Sequence, residues 1–287
     1  MPRQVPRRGQ EIRAVFAVLF LSLAFAPAAK AADRDAVARG AYLAAAAGCD
    51  QCHTDSEHGG QPYAGGRRLT TAFGIVTTPN ITPDRETGIG RWSVAETKRA
   101  IGEGVRPNGA QLAPIMPNAF YKVFTPGDLD AVVAYVRSSK PVHNRVQAPI
   151  YKTALASAVL PGADKPPSET DLRDPVKRGF YLVTIGHCME CHTPIVNGHH
   201  DFAGSLGKGD QTFRGPWGES VSRNITSHKE KGIGAWSDAE IKRSITQGLR
   251  RDGSRLKPPM GFDWYARMND EDLTAIVAYL RTVPAKE

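Results

Sequence analysis

The chain has 287 residues, with 37 Lys and Arg against 29 Asp and Glu, and a formal net charge of +8. Residues 1–31 contain five of the basic residues and one of the acidic ones, so the rest of the chain has a net charge of only +4. Such a small excess argues against a nucleic-acid-binding protein, because those proteins need clustered positive charge. The remaining length suits one large domain or two domains of ordinary size.

Residues 1–31 have the pattern of a secretory signal peptide. Four arginines precede a largely apolar stretch at residues 14–25, and Ala29-Lys30-Ala31 matches a small-residue cleavage site. The apolar stretch is shorter than the roughly 20 residues that span a membrane. We therefore expect export to the periplasm with removal of residues 1–31. An uncleaved N-terminal anchor is the alternative.

The rest of the chain contains one pattern twice. Arg39-Gly40-Ala41-Tyr42-Leu43 recurs 139 residues later as Arg178-Gly179-Phe180-Tyr181-Leu182. Further along, the spacing becomes 144 residues, so that Asn80-Ile81-Thr82 recurs as Asn224-Ile225-Thr226. Repetition over this length predicts two homologous domains in tandem. We place the first repeat at residues 32–140, a proline-rich linker at 141–173 and the second repeat at 174–287.

Each repeat contains one Cys-x-x-Cys-His motif, at residues 49–53 and 188–192, and these motifs hold all four cysteines of the chain. Two thiols three residues apart on a helical turn can each add to a vinyl group of the same porphyrin. The adjacent histidine then supplies a ligand to the iron. The sequence therefore predicts two covalently bound hemes c, with attachment residues Cys49, Cys52, Cys188 and Cys191 and proximal ligands His53 and His192.

Half of a zinc site, or a redox-active pair of cysteines, is the alternative interpretation of one such motif. A zinc site built from the four cysteines would leave both motif histidines without a role. The recurrence of the complete motif at the same position of a repeat therefore favours heme.

Helical signals dominate both repeats. Ser93 with Glu96, and Ser237 with Glu240, form capping boxes at the starts of two equivalent helices. The last helix of each repeat follows a capping residue, Thr125 or Asn269, and has apolar residues at i, i+3, i+4 and i+7. No run of residues shows the alternation of a long strand. We predict an all-α fold with long loops, and a short helix at residues 151–160 of the linker.

A second axial ligand is predicted in each repeat. Met116 lies in Pro-Ile-Met-Pro and Met260 lies in Pro-Pro-Met-Gly, at equivalent positions. Proline stiffens such a loop, and a methionine ligand raises the reduction potential of a heme. The alternative is that these methionines only fill the core. Met268 is the fallback ligand in the second repeat.

The remaining polar candidates are weaker. Five histidines could replace a methionine ligand, although none recurs at an equivalent position and most are expected in solvated loops: His58, His143, His199, His200 and His228. His187 is expected at the surface or at a heme edge. Asn80 and Trp92, with their counterparts Asn224 and Trp236, either bond a heme propionate or have structural roles.

Together, these motifs resemble those of the cytochrome c subunits of bacterial membrane-bound alcohol, gluconate and related dehydrogenases. The resemblance rests on Arg-Gly-x-Tyr-Leu before Cys-x-x-Cys-His-Thr, then Asn-Ile-Thr, Gly-Ile-Gly-x-Trp-Ser, the methionine loop and the last helix. It implies two tandem class I-like cytochrome c domains. It also implies histidine–methionine hemes, in which His53 pairs with Met116 and His192 pairs with Met260. The larger members have three heme motifs, whereas this chain has two.

The expected function is that of a periplasmic diheme cytochrome c, an electron-transfer protein and not an enzyme. A periplasmic dehydrogenase is the expected electron donor, and a cytochrome, a quinone or an oxidase is the acceptor. We expect no nucleic-acid partner and leave open a peripheral association with the membrane. The alternative is a diheme redox enzyme, peroxidase-like or sulfur-compound oxidising. The paired methionines and the absence of a spare cysteine disfavour such an enzyme, and a zinc-stabilised binding module is a third class.

Overall fold

The computed structural model describes residue 1 and residues 26–71, 74–147, 150–151 and 159–287, with side chains for 33–71, 74–147 and 159–287. Most of the predicted signal peptide therefore lies outside the described residues. So does most of the short helix expected in the linker, and Ile150–Tyr151 at its start forms a strand instead. Among the described helices, none is both long and apolar enough to cross a membrane.

The two repeats present their α-helices in the same order. The first five are α1 (Ala26–Ala46), α2 (Cys49–His53), α3 (Val94–Glu103), α4 (Asn118–Tyr121) and α5 (Pro126–Ser138). The second five are α6 (Pro175–Ile185), α7 (Cys188–Cys191), α8 (Asp238–Gln247), α9 (Phe262–Tyr265) and α10 (Asp270–Thr282). The short helices α2 and α7 carry the Cys-x-x-Cys-His motifs, so that both motifs adopt the single helical turn that their spacing requires.

The helix ends confirm the capping motifs found in the sequence. In α3, the Ser93 hydroxyl accepts a hydrogen bond from the Glu96 N–H at 3.1 Å, and the Glu96 carboxylate accepts one from the Ser93 N–H at 2.7 Å. Ser237 and Glu240 repeat both bonds in α8. Because each N-cap contributes about 1 kcal/mol, local sequence determines where these helices begin.

The prediction of an all-α fold is wrong, because the described residues also form three small antiparallel sheets. Their strands are β1 (Arg68–Thr71), β2 (Gly74–Thr77), β3 (Ile150–Tyr151), β4 (Ile195–Val196), β5 (His199–His200), β6 (Thr212–Gly215) and β7 (Gly218–Val221). Strands of two to four residues are too short to show the alternating pattern by which a strand is recognised. Glycine at positive φ, such as Gly218 at +86°, permits the tight turns.

The region with the five extra residues of the second repeat contains the β4–β5 hairpin. The first repeat has 14 residues between the motif histidine and strand β1. The second repeat has 19 residues between the motif histidine and strand β6. The chain that leaves this hairpin brings Phe202 against Phe120 of the first repeat, with ring centroids 6.3 Å apart. The chain that follows the hairpin therefore contributes to the contact between the repeats.

In each repeat the first and last long helices approach closely at a glycine. A Cβ atom on Gly40 of α1 would lie 1.9 Å from the Ala131 oxygen in α5, and one on Gly179 of α6 would lie 1.9 Å from the Ala275 oxygen in α10. Only glycine lets the two backbones come so close. The glycine of the repeated Arg-Gly-x-Tyr-Leu motif is therefore required for packing.

Buried apolar residues from both repeats form one continuous core, which includes Leu43, Val132, Ile185 and Val277. Helices also pack across the repeats, since α4 contacts α6 and α9 contacts α1. The repeats are thus held together by shared burial of apolar surface as well as by the linker.

Candidate cofactor-binding site

A cavity of about 1630 Å³ is lined by residues of both repeats. It exceeds the roughly 300–1,000 Å³ of an ordinary single-ligand pocket. Both Cys-x-x-Cys-His motifs line this cavity, as do Met116 and Met260. The structure therefore brings all eight of the predicted attachment and ligand residues to one cavity.

The four cysteine side chains are partly buried, and none is in a disulfide. Burial raises the pKa of Cys49 and of Cys188 to about 12, and it raises the pKa of Cys52 and of Cys191 as well. At neutral pH each sulfur is therefore uncharged beside an apolar cavity. This environment suits a thioether bond to a porphyrin.

The two motif histidines are held in one orientation by backbone carbonyl groups. His53 Nδ1 lies 2.9 Å from the Pro79 oxygen, and His192 Nδ1 lies 2.6 Å from the Arg223 oxygen. A carbonyl only accepts hydrogen bonds, so Nδ1 carries the proton and Nε2 keeps its lone pair. Burial lowers the pKa of both histidines, which favours the neutral ring that binds a metal. Each histidine is thus prepared to ligate iron through Nε2.

The orienting carbonyls belong to two residues that the sequence analysis did not assign to the site. Pro79 and Arg223 are equivalent positions, each immediately before Asn-Ile-Thr. The Asn80 amide donates to the Val142 oxygen at 2.7 Å, and its carbonyl accepts from the Thr82 N–H at 3.0 Å. The asparagine therefore holds the loop, and the structural interpretation of this residue is favoured over a propionate bond. The recurrence of Asn-Ile-Thr was the only sequence signal for these acceptors. Any residue type has a backbone carbonyl, so the amino-acid sequence does not identify which one accepts the hydrogen bond.

Other side chains of the repeated pattern also support the site. The Tyr121 hydroxyl donates to the Ala47 oxygen at 2.7 Å, and Tyr265 donates to the Gly186 oxygen at 3.1 Å. Each bond ties the helix after a methionine loop to the residue two positions before a Cys-x-x-Cys-His motif. These tyrosines fix the distance between the two ends of each site, a role that the sequence did not reveal.

The methionines separate into two environments. Met116 and Met260 line the cavity and are partly exposed to it. Met189 and Met268 are buried in the apolar core at 0% and 8% exposure, outside the cavity lining. The fallback ligand Met268 is therefore poorly placed for the site.

Of the other six histidines, three lie outside the cavity lining and three are part of it. His58 is exposed and contacts Asp55 at 2.9 Å, and His143 lies 3.7 Å from Asp84. His228 Nδ1 accepts hydrogen bonds from two backbone N–H groups of its own loop.

His199 and His200 line the cavity from strand β5, and His187 lines it between the repeats. Trp92 and Trp236 also line it.

Two reciprocal contacts join the repeats. Tyr42 of the first repeat donates to Asp272 of the second, and Tyr181 of the second donates to Asp128 of the first. Each aspartate also accepts from the arginine of its own repeat, Asp128 from Arg39 at 2.8 Å and Asp272 from Arg178 at 2.6 Å. This explains why arginine and tyrosine recur together in the motif.

Paired thiols, a neutral oriented histidine and a large apolar cavity fit a heme c, so that fold and site define a heme-binding protein. The chain belongs to the cytochrome c family. The sequence model of that family matches residues 37–140 and 176–284.

Several curated relatives are similar over most of the chain. The fructose dehydrogenase cytochrome subunit of Gluconobacter japonicus is 34% identical over 91% of this chain and 55% of its own length. The gluconate 2-dehydrogenase cytochrome c subunit of Pantoea cypripedii is 33% identical over 96% of this chain and 66% of its own length. A diheme cytochrome c-type protein of Cereibacter sphaeroides is 32% identical over 87% of this chain and 86% of its own length. The chain thus spans between about half and two thirds of the length of these two dehydrogenase subunits.

Proposed function

We propose that the protein is a periplasmic diheme cytochrome c that carries electrons from a dehydrogenase to a downstream acceptor of the respiratory chain. The duplicated site carries this proposal. Each repeat presents two thiols, an oriented histidine and a loop methionine to the same cavity. A loop methionine at both sites favours a two-step electron path over a diheme enzyme, which needs one iron with an open or displaceable ligand position.

One heme is assigned to each repeat. The first would be held by Cys49, Cys52, His53 and Met116, and the second would be held by Cys188, Cys191, His192 and Met260. When bound, heme supplies the one-electron redox chemistry. The protein tethers it through the thiols, orients the proximal histidine through a backbone carbonyl, and surrounds it with apolar side chains.

This environment favours high reduction potentials. An apolar lining disfavours the extra positive charge of oxidised iron, and a thioether ligand acts in the same direction. The carbonyl bonded to Nδ1 stabilises the neutral ring with its proton on that atom, which keeps Nε2 free. We therefore expect both hemes to be reduced readily by a dehydrogenase and to be stable in the reduced state.

The donor is proposed from the relatives, which include cytochrome subunits of fructose and gluconate dehydrogenases. A cytochrome, a quinone or an oxidase is the proposed acceptor. Periplasmic location is proposed from the signal-peptide pattern of residues 1–31. Electron-transfer partners commonly meet through small surfaces steered by charge, so the reduction rate should depend on salt concentration.

The first experiment measures heme content. The full chain is produced in a host competent for heme c attachment, and its intact mass is measured after export. Two covalent hemes are expected in the wild type. The double variants Cys49→Ala/Cys52→Ala and Cys188→Ala/Cys191→Ala should each lose one heme and keep the other. One heme or none in the wild type would contradict the proposal.

A second experiment separates electron transfer from catalysis. The protein is reduced in a stopped-flow instrument by the dehydrogenase that co-purifies with it, and the isolated cytochrome is assayed with peroxide, thiosulfate and alcohols. Fast reduction by the partner, slowed or accelerated by salt, is expected, with no steady-state turnover of the small substrates. Robust turnover by the isolated protein would place it among the diheme enzymes.

A further inference from the structure

The first Cys-x-x-Cys-His motif is hydrogen-bonded to the methionine loop of the second repeat. Gln51, which lies between Cys49 and Cys52 on α2, donates from Nε2 to the main-chain oxygen of Pro259 at 2.9 Å. Pro259 immediately precedes Met260 in the chain. The helix that attaches one heme is thus bonded to the loop assigned to the other heme.

The contact is one-sided in the part of the chain that the structure describes. The residue equivalent to Gln51 is Glu190, and an ionised carboxylate cannot donate a hydrogen bond to a carbonyl oxygen. The Glu190 carboxylate instead lies 3.3 Å from Nδ1 of His187. The residue equivalent to Pro259 is Ile115, whose side chain is exposed. The link therefore runs only from the first attachment helix to the Met260 loop.

The backbone after Met260 is less restricted than the backbone after Met116. Met116 is followed by Pro117, whose ring restricts the backbone, whereas Met260 is followed by Gly261, the least restricted residue type. Gln51 lies close to the chain on both sides of Met260. The Gln51 Nε2 donates a hydrogen bond to the oxygen of Pro259, the residue before Met260. The Gln51 Oε1 lies 3.8 Å from the position that a Cβ atom on Gly261, the residue after Met260, would occupy.

We propose that Gln51 is a positioning residue for the axial ligand Met260 of the second heme. The inference rests on the proposed ligation by Met260. With the hydrogen bond in place, the loop is held against the cavity and the thioether stays available to the iron. Without it, the loop more often withdraws the thioether, so the second heme becomes accessible to an added ligand and its potential falls. The first repeat thereby sets the ligation of the second.

The test uses the oxidised full-length diheme protein and imidazole, which binds the iron only after methionine leaves. In Gln51→Leu, the imidazole affinity of the second heme should rise about fivefold, the equivalent of losing one ordinary hydrogen bond of ~1 kcal/mol. The potential of that heme should fall. Gln51→Glu places a carboxylate against the Pro259 oxygen and should have a larger effect.

Two controls separate this role from a local disturbance. Glu190→Leu changes the equivalent position of the other motif, and it should leave the imidazole affinity of both hemes within about twofold of the wild type. The Gln51→Leu change is repeated in a Met116→His background, where only the second heme still depends on a methionine. The fivefold rise should persist there.

The outcomes are distinguishable. If Gln51→Leu alters only the first heme, or alters neither, the positioning role is overturned while the proposed function stands. If Met260→Ala leaves the imidazole affinity of both hemes unchanged, Met260 is not the ligand, and both the inference and the proposed ligand set fail. The inference is supported if Gln51→Leu changes the imidazole affinity of the second heme alone and Glu190→Leu changes that of neither heme.

Discussion

The Tyr181 hydroxyl donates a hydrogen bond of 2.5 Å to Asp128, an aspartate of the other repeat. Tyr181 is 2% exposed, and Asp128 also accepts two hydrogen bonds from Arg39. The contact joins α6 to the first turn of α5, a helix of the other repeat. Both reciprocal contacts have an aspartate as acceptor, and the greater burial of the Tyr181 hydroxyl makes this contact the stronger of the two.

Removal of this hydroxyl should lower the stability of the whole chain. For Tyr181→Phe we expect the free energy of unfolding to fall by about 1.5–3 kcal/mol, as for a hydrogen bond to a charged group. Tyr42→Phe removes the reciprocal bond at a more exposed position and should cost less. Urea unfolding followed by circular dichroism measures both. Equal losses in the two variants would contradict the ranking.

The same tyrosine should make the protein sensitive to alkali. Burial and the nearby Asp128 carboxylate raise the pKa of Tyr181 well above its ordinary 10.0. In the unfolded chain the phenol ionises near pH 10, whereas in the folded chain it stays protonated. The stability contribution is therefore complete below about pH 10 and falls above it, by up to ~1.4 kcal/mol per pH unit. The unfolding free energy of Tyr181→Phe, measured from about pH 9 to 11, should fall less steeply than that of the wild type.

Replacement of each loop methionine should affect one heme at a time. Met116→His and Met260→His should each lower the potential of one heme, because an imidazole ligand favours oxidised iron more than a thioether does. Each should also remove about half of the long-wavelength methionine–iron absorption band. Met268→Leu, in the core, is the control and should keep both potentials. An unchanged band in either histidine variant would identify a different ligand.

The helix contact at Gly179 should tolerate no side chain. In Gly179→Ala, the new Cβ would lie 1.9 Å from the Ala275 oxygen, so α6 and α10 must separate. We expect destabilisation by about 3 kcal/mol. Gly102→Ala is the matched control, because a Cβ on Gly102 of α3 has no atom within 4 Å. The control should stabilise the protein by about 0.5–1 kcal/mol. Thermal unfolding compares the two, and similar effects would show that helix spacing is not the constraint.

The sequence was informative where structure depends on nearby residues or on recurrence. The Ser93–Glu96 cap spans three residues, and it is present as predicted. The recurrence of the motif cysteines, histidines and loop methionines identified a residue set that the structure gathers around one cavity. Strands of two to four residues were missed because they carry no periodicity.

Contacts between the repeats could not be predicted. Tyr42 and Asp272 are separated by 230 positions, and no local pattern specifies that they meet. The same is true of the hydrogen bond between Gln51 and Pro259, because its acceptor is the backbone oxygen of Pro259. Such contacts depend on how the repeats pack, and packing is decided by the summed burial of many apolar side chains.

The reciprocal contacts have a consequence for the origin of the chain. Tyr42 and Tyr181 are equivalent residues, as are Asp128 and Asp272, and each tyrosine bonds the aspartate of the other repeat. This is the geometry of an isologous interface, in which one surface pairs with its own copy about a two-fold axis. Two molecules of a single-heme ancestor would form it with one tyrosine and one aspartate each. Gene duplication and fusion of such a homodimer create no new interface, and later divergence, as at Gln51 and Glu190, then makes the halves unequal.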